Sequence, residues 1–206
     1  WGTHKDSLTA QQSPQLINDL QDIGFLSENA NRVPVYNPRK DFYQTGSILE
    51  NSLTISGGGS NSNYYVNFGN LDQEGIVPGT ELRKTNIMAK AQANLSDNFS
   101  SRTSIHFVNT ENKQLSEGNG TTQFNFGLIN TPISFNLDDQ QFEDGTQKMY
   151  HPAFNNPNWI SDNNNFSSSN DRFIANQQLQ WDPISWLTLS ERIGLDTYVD
   201  TRKKRT

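Results

Sequence analysis

No cysteine occurs in the 206-residue chain, which excludes disulfides and thiolate metal sites. The compartment stays open, because exported bacterial proteins often lack cysteine as well. A signal peptide and an initiator Met are absent, and no run of about 18 apolar residues is present to make a membrane helix. That last exclusion does not reach β-barrels, whose strands need only about 9–11 alternating residues each. Charge is also scarce, at 18% of residues with a net charge of −6. Such a chain has no basic field for nucleic acid. Apolar residues make up only 32%, below the share of an ordinary soluble core.

Asn, Gln, Ser, Thr and Gly fill the gap, and aromatics still reach 11%. Disorder normally goes with high charge and few aromatics, so it fits poorly. Uncharged polar residues mixed with aromatics suit a wall between water and an apolar medium.

The pattern is clearest between Ser52 and Leu95. Leu53 and Ile55, then Tyr64, Val66 and Phe68, then Ile87, Ala89, Ala91, Ala93 and Leu95 fall on alternate positions. The other face carries Thr54, Ser56, Asn67, Asn86, Lys90, Gln92 and Asn94. A period of two with unlike faces predicts strands over 48–56, 64–71 and 82–95. A fourth is predicted at 99–109, with Phe99, Thr103, Ile105 and Phe107 opposite Arg102, Ser104 and His106. The fifth, 172–181, sets Phe173, Ala175, Leu179 and Trp181 against Asn176, Gln178 and Gln180. The sixth, 186–199, sets Leu187, Leu189, Ile193 and Leu195 against Thr188, Ser190, Arg192 and Asp196. Before them, Ser13 and Pro14 start a short helical pattern of Leu16, Ile17, Leu20 and Ile23 that stops at Gly24.

The connections sort by length. Turns at 57–63, 96–98 and 182–185 are short, whereas the leading 1–47, the loop 72–81 and the insertion 110–171 are longer. Successive connections of an up-and-down sheet alternate between its two ends, so one end takes every short turn. An outer-membrane barrel has this asymmetry, with short periplasmic turns and long outer loops. The expected fold is therefore all-β, with antiparallel up-and-down strands forming part of a large transmembrane barrel. Its map reads 1–47 outer loop, 48–109 four strands, 110–171 long outer loop, 172–199 two strands and 200–206 the start of the next outer loop. Six strands cannot close a useful barrel, and open edges are forbidden in lipid, so the sequence is expected to be an excerpt.

Three runs then resemble one family. The first is SLTISGG…NYYVNFGNLDQEGIV, from Ser52 to Val77. Asn156-Pro157-Asn158-Trp159 followed by Asn163-Asn164-Asn165 is the second, and Asp171-Arg172-Phe173-Ile174-Ala175-Asn176 on to Tyr198 is the third. In this order, across most of 45–200, they resemble the SusC/RagA-like TonB-linked outer-membrane proteins of Bacteroidetes. The resemblance implies an about 22-stranded barrel with an N-terminal plug, neither plug nor TonB motif lying in these residues. It also implies a SusD-like lid lipoprotein, contact with TonB outside this chain, and import of glycans or peptides across the outer membrane of a Gram-negative bacterium. One departure is Glu191, on a lipid-facing step where the family has an apolar or aromatic residue. Either it lies near the headgroups or the strand bulges there.

No catalytic constellation is present, so no enzyme and no cofactor are expected. His4, His106 and His151 lack metal spacing. Asp138, Asp139, Glu143 and Asp144 before Gly145 form a weak calcium candidate, lacking the alternating ligands and closing Glu of an EF-hand; the alternative is a solvated loop. No serine sits in a Gly-x-Ser-x-Gly elbow, and Gly57-Gly58-Gly59 lacks the lysine and helix of a phosphate loop. Binding is the stronger reading. Tyr150, Phe154 and Trp159 among Asn156 and its neighbouring amides suit sugar or peptide contact, or else pack the loop on itself or on the lid. Lys90, Arg102 and Arg192 are expected to face the lumen, pairing with plug carboxylates or lining the solute path. Trp181, Trp186 and Phe99 flank short turns as a periplasmic aromatic girdle. A secreted soluble β-sheet protein that binds glycans through aromatic loops is the competing function.

Overall fold

The computed structural model describes residues 18, 19, 21, 22, 35–115 and 123–205. In chain order they form helix α1 (Pro38–Phe42), strands β1 (Ser47–Gly58), β2 (Ser62–Glu74), β3 (Glu81–Ser96) and β4 (Phe99–Leu115), helices α2 (Phe124–Asn130) and α3 (Pro157–Asn163), and strands β5 (Asn165–Ile184) and β6 (Leu187–Lys204). Asn18, Asp19, Gln21 and Asp22 are helical, inside the helix predicted after Pro14. The remainder of that helix, and His4, lie outside the described residues.

All six strands join one antiparallel sheet in the order β1-β2-β3-β4-β5-β6. The register places the predicted apolar positions directly opposite one another. Leu53, Phe68, Ile87, Phe107 and Phe173 form one continuous row, and Ile55, Val66, Ala89, Ile105, Ala175 and Leu195 form the next. A slip of one residue in any strand would send its apolar set to the wet face, so two-faced patterning fixes the register. Gln177 is polar on the apolar face, but its side chain accepts from the Thr103 hydroxyl at 2.6 Å and donates to Ser101 Oγ at 2.9 Å. Hydrogen bonds of this kind remove much of the penalty for amides and hydroxyls away from water.

The strands are longer than the periodicity predicts, by two or three residues at some short turns and by more at the long-loop end. Residues 110–115 and 165–171, expected in the outer loop, are strand, and so are residues 72–74 and 200–204. The run Asn165-Phe166-Ser167-Ser168-Ser169-Asn170-Asp171 has neither alternation nor β-propensity. It pairs with Asn109–Leu115 because the ladder below sets its partner. The β2–β3 connection shrinks accordingly to residues 75–80. There Thr80 N donates to Val77 O at 3.2 Å across Pro78-Gly79, with Gly79 at φ 77°. Proline followed by a positive-φ glycine is the signature of a type II turn.

Among the described residues the buried apolar cluster lies at the long-loop end, away from the alternating rows. It comprises Phe42, Leu115, Phe124, Leu128, Phe135, Leu137 and Ile160, with Val77 against it. The rings of Phe42 and Phe124 stack at 5.4 Å between α1 and α2. Tyr36 N donates to Ile133 O at 2.7 Å, and Gln44 Nε2 donates to Gly75 O at 3.0 Å. The segment before β1, the β2–β3 turn and residues 123–164 are thereby joined in one cap at the long-loop end. The long insertion between β4 and β5 carries two seven-residue helices on this core. In contrast, the apolar face of the sheet lies open, with Leu53 60% and Ile55 53% exposed.

Candidate functional site

Two places gather residues that the sequence marks out. The first is the polar, concave face near the short turns. Asn63, Gln92, Arg102, Gln178 and Arg192 stand directly opposite one another across β2 to β6. Tyr65, Lys90, Ser104 and Asn176 form the adjacent row. Together they line a concavity of about 650 Å³. Lys90, Arg102 and Arg192, spaced along the sequence, are thus brought into one site.

Each cation is held by a neutral group. Arg102 Nε donates to Gln92 Oε1 at 3.3 Å and Arg192 Nη2 donates to Gln178 Oε1 at 3.0 Å. Lys90 Nζ sits 5.9 Å from the Tyr65 ring centroid, a cation–π distance. Tyr65 escapes a reading of the apolar alternation because it is the odd-face member of the Tyr64-Tyr65 pair; its even spacing from Asn63 and Asn67 is the signal that places it. Elsewhere on the strands, arginines have carboxylates: Arg172 donates twice to Asp196, at 2.9 and 2.6 Å, and Arg202 reaches Asp200 at 2.7 Å.

The second place is the cap at the long-loop end. Tyr150 is 40% exposed, its ring 6.3 Å from Phe135 and 6.5 Å from His151. Phe154 is half-buried, 5.3 Å from Phe126 and 5.2 Å from His151. Trp159 is half-buried on α3, and its carbonyl accepts from Asn163 Nδ2. These three aromatics do not share one open wall, since Phe154 and Tyr150 are partly spent on the cap itself.

Asn156 has a different role from the ligand contact expected of it. It is 2% exposed, and its Oδ1 accepts from Asn158 N at 2.9 Å to cap α3 ahead of Pro157. Its Nδ2 donates to Leu137 O at 3.1 Å and to Lys148 O at 3.4 Å. Asn before Pro at the first helical position is a start signal that could have been read from sequence. Truncating Asn156 to Ala is expected to destabilise the cap by about 1–3 kcal/mol, because two carbonyls and a helix N–H lose their partner. Faster proteolysis within residues 123–164, with the strands unaffected, would show it.

The acidic run is dispersed into local bonds. Asp144 Oδ1 accepts from the Thr146 hydroxyl and amide at 2.6 and 2.9 Å, and these bonds hold its carboxyl below the usual carboxylate range. Asp139 pairs with Lys148, and Asp138 accepts from Asn158 Nδ2. Among the described residues no three His, Asp or Glu side chains are grouped to hold a metal ion. His151 Nδ1 accepts from Ala153 N at 3.1 Å, and His106 stands in the sheet opposite Met88 and Ile174.

Six consecutive antiparallel neighbours, unlike faces and loops sorted by end define a wall segment of an up-and-down β-barrel. Glu191 lies in that wall opposite Leu179, one row from the Trp181–Leu189 pair, and the register shifts only between Trp181 and Ile184. A bulge at Glu191 is therefore ruled out.

No family model and no curated protein sequence matches the chain. Solved structures do. The chain overlays 94% of its length on a chain in the structure of the RagAB peptide transporter, at 16% identity and a TM-score of 0.68. It overlays equally on the RagAB peptide importer in its open-open state (18% identity, 93% of this chain, TM-score 0.68) and its closed-closed state (18%, 96%, 0.67). In each case it spans 24% of the solved chain, about a quarter of its length. At these identities the likeness is one of fold, and it agrees with the SusC/RagA-like resemblance of residues 45–200.

Proposed function

We propose that residues 1–206 are part of the barrel wall of a TonB-dependent importer in the outer membrane of a Gram-negative bacterium. It takes up oligomeric nutrients, glycans or peptides, under a SusD-like lid lipoprotein. The single observation that carries this reading is the pair of apolar rows, one across β1 to β5 and one across all six strands, on a face that none of the described residues covers. On β4 the apolar face runs from Phe99 to Phe107, about 27 Å along the strand. At the usual barrel tilt this is a band of about 20 Å, close to the height of a lipid-facing belt. Polar and charged rows follow above it, with Asp72, Arg83 and Glu111 opposite one another, where strands project beyond lipid. Glu191 then falls toward the girdle of Trp181 and Trp186, where a carboxylate costs little.

In this arrangement the turns at 59–61, 97–98 and 185–186 are periplasmic and the cap is external. Tyr150, Phe154 and Trp159 are the cap rings that a sugar or peptide would meet, Tyr150 being the most exposed. The fold likeness to a peptide importer supports transport, without separating peptide from glycan. Fractionation of cells expressing the intact gene tests the proposal. The protein is expected in the outer membrane, released by detergent and not by urea, and its deletion is expected to abolish uptake of one class of labelled oligomer. Recovery from the aqueous fraction as a compact β-rich monomer would overturn it in favour of a secreted glycan-binding protein.

A further inference from the structure

We infer that the strand tops bind the phosphate of a membrane lipid on the lipid-facing side of the wall, with Lys113 and Lys203 as its cations. The inference rests on the barrel reading above and adds a ligand on the side away from the lumen. The run Ser167-Ser168-Ser169 serves neither the apolar rows nor the core of the cap. Alternation carries the apolar face of β4 upward from Phe107 through Asn109 to Glu111 and Lys113. On β5 the same face runs from Phe173 through Asp171 to Ser169 and Ser167. The ladder then aligns Glu81, Lys113, Ser167 and Lys203 in one row, and Arg83, Glu111, Ser169 and Thr201 in the row below.

These rows line a concavity of about 310 Å³ that holds three cations against two carboxylates. The positive excess is local, in a chain whose net charge is −6. Lys113 Nζ is 3.7 Å from Glu81, which Arg83 Nη2 shares at 3.4 Å, and exposed pairs of this kind contribute little. Among the described residues Lys203 makes no ion pair, and the hydroxyls of Ser167, Ser169 and Thr201 have no hydrogen-bond partner. Lys113 and Lys203 flank Ser167 about 10 Å apart at the usual strand spacing, so both stems reach one phosphate. Two ammonium groups with a free hydroxyl between them are a donor set for phosphate oxygens. Height selects a lipid as the source. The two rows stand about 10 and 15 Å above Phe107 along the membrane normal at the usual barrel tilt. A hydrocarbon layer of about 25 Å ends a few ångströms above that residue, which leaves the rows at headgroup level. Lysine stems also bend toward an interface.

Native mass spectrometry of the intact protein, extracted from outer membranes in a neutral detergent, tests this. The protein is expected to retain a phosphate-bearing lipid, and the Lys113→Gln/Lys203→Gln double variant to lose most of that occupancy. Lys113→Arg/Lys203→Arg is expected to keep it, since the charge remains. Lys90→Gln, on the lumen side, is expected to leave it unchanged. Equal retention by the glutamine variant and the unaltered protein would overturn the inference. So would an equal loss in Lys90→Gln. Displacement of the lipid by millimolar inorganic phosphate would make the concavity a free-anion site and overturn it as well. A protein that sits in the outer membrane but imports nothing leaves this readout intact. One that imports but retains no lipid loses this inference alone, so the two readings fail separately.

Discussion

Ile105→Lys is expected to destabilise the intact protein in lipid vesicles by about 2–4 kcal/mol, the cost of a lysine near the middle of an apolar band. Ile105 sits in the row that runs from Ile55 through Val66 and Ala89 to Ala175 and Leu195, with lipid-compatible neighbours on both sides. On the long-loop side a lysine here has the row of Phe68, Ile87, Phe107 and Phe173 to cross before its ammonium reaches water. Ser56→Lys, on the opposite face of β1, is expected to cost far less, since that position opposes Tyr65 on the polar side. Glu191→Leu is expected to be near neutral or mildly stabilising. Denaturant midpoints in vesicles measure all three. Equal penalties for the Ile105 and Ser56 variants would sink the assignment of faces.

The second large effect belongs to the cap. Ile160 is fully buried in the cluster that holds α1, α2 and α3 together. Ile160→Ala is expected to cost the cap about 2–5 kcal/mol, the transfer term plus the cavity left behind. The loss should be local. Hydrogen exchange should speed up across residues 35–46 and 123–164 while the ladder amides of β2 to β5 keep their protection. A uniform loss through the strands would mean that cap and wall form a single cooperative unit.

The contrast between these two regions explains what the sequence could reveal. In the strands of the wall, a period of two survives from Leu53 to Leu195, interrupted on the apolar face at Ser101, Thr103, Gln177 and Glu191. That periodicity placed six strands, both faces and the three cations of the polar side. It failed at the strand tops, where Ser167, Ser168 and Ser169 have no apolar partner rhythm and pairing is inherited from the ladder. In the cap, Phe42, Phe124, Phe135 and Ile160 come from segments far apart in sequence, and helices of seven residues show too few turns for a moment to emerge. The capping role of Asn156 is hidden for a related reason: an exposed loop amide and a buried capping amide look alike until the core around them is known. Gly127 marks the same tight spot, since any side chain there would run into the Asn155 carbonyl.

The shared core of the cap has a consequence for inheritance and engineering. Surface loops of a barrel usually vary one at a time, each a separate cassette. Here the segment before β1, the β2–β3 turn and the β4–β5 connection each contribute side chains to one interior. Gly79 shows how close the fit is: a Cβ added there would lie 2.9 Å from Ser161 O. A graft of residues 116–164 alone onto another barrel would carry only part of that interior and leave it open. A working transplant must move all three segments together, and substitutions in any one of them are constrained by the other two.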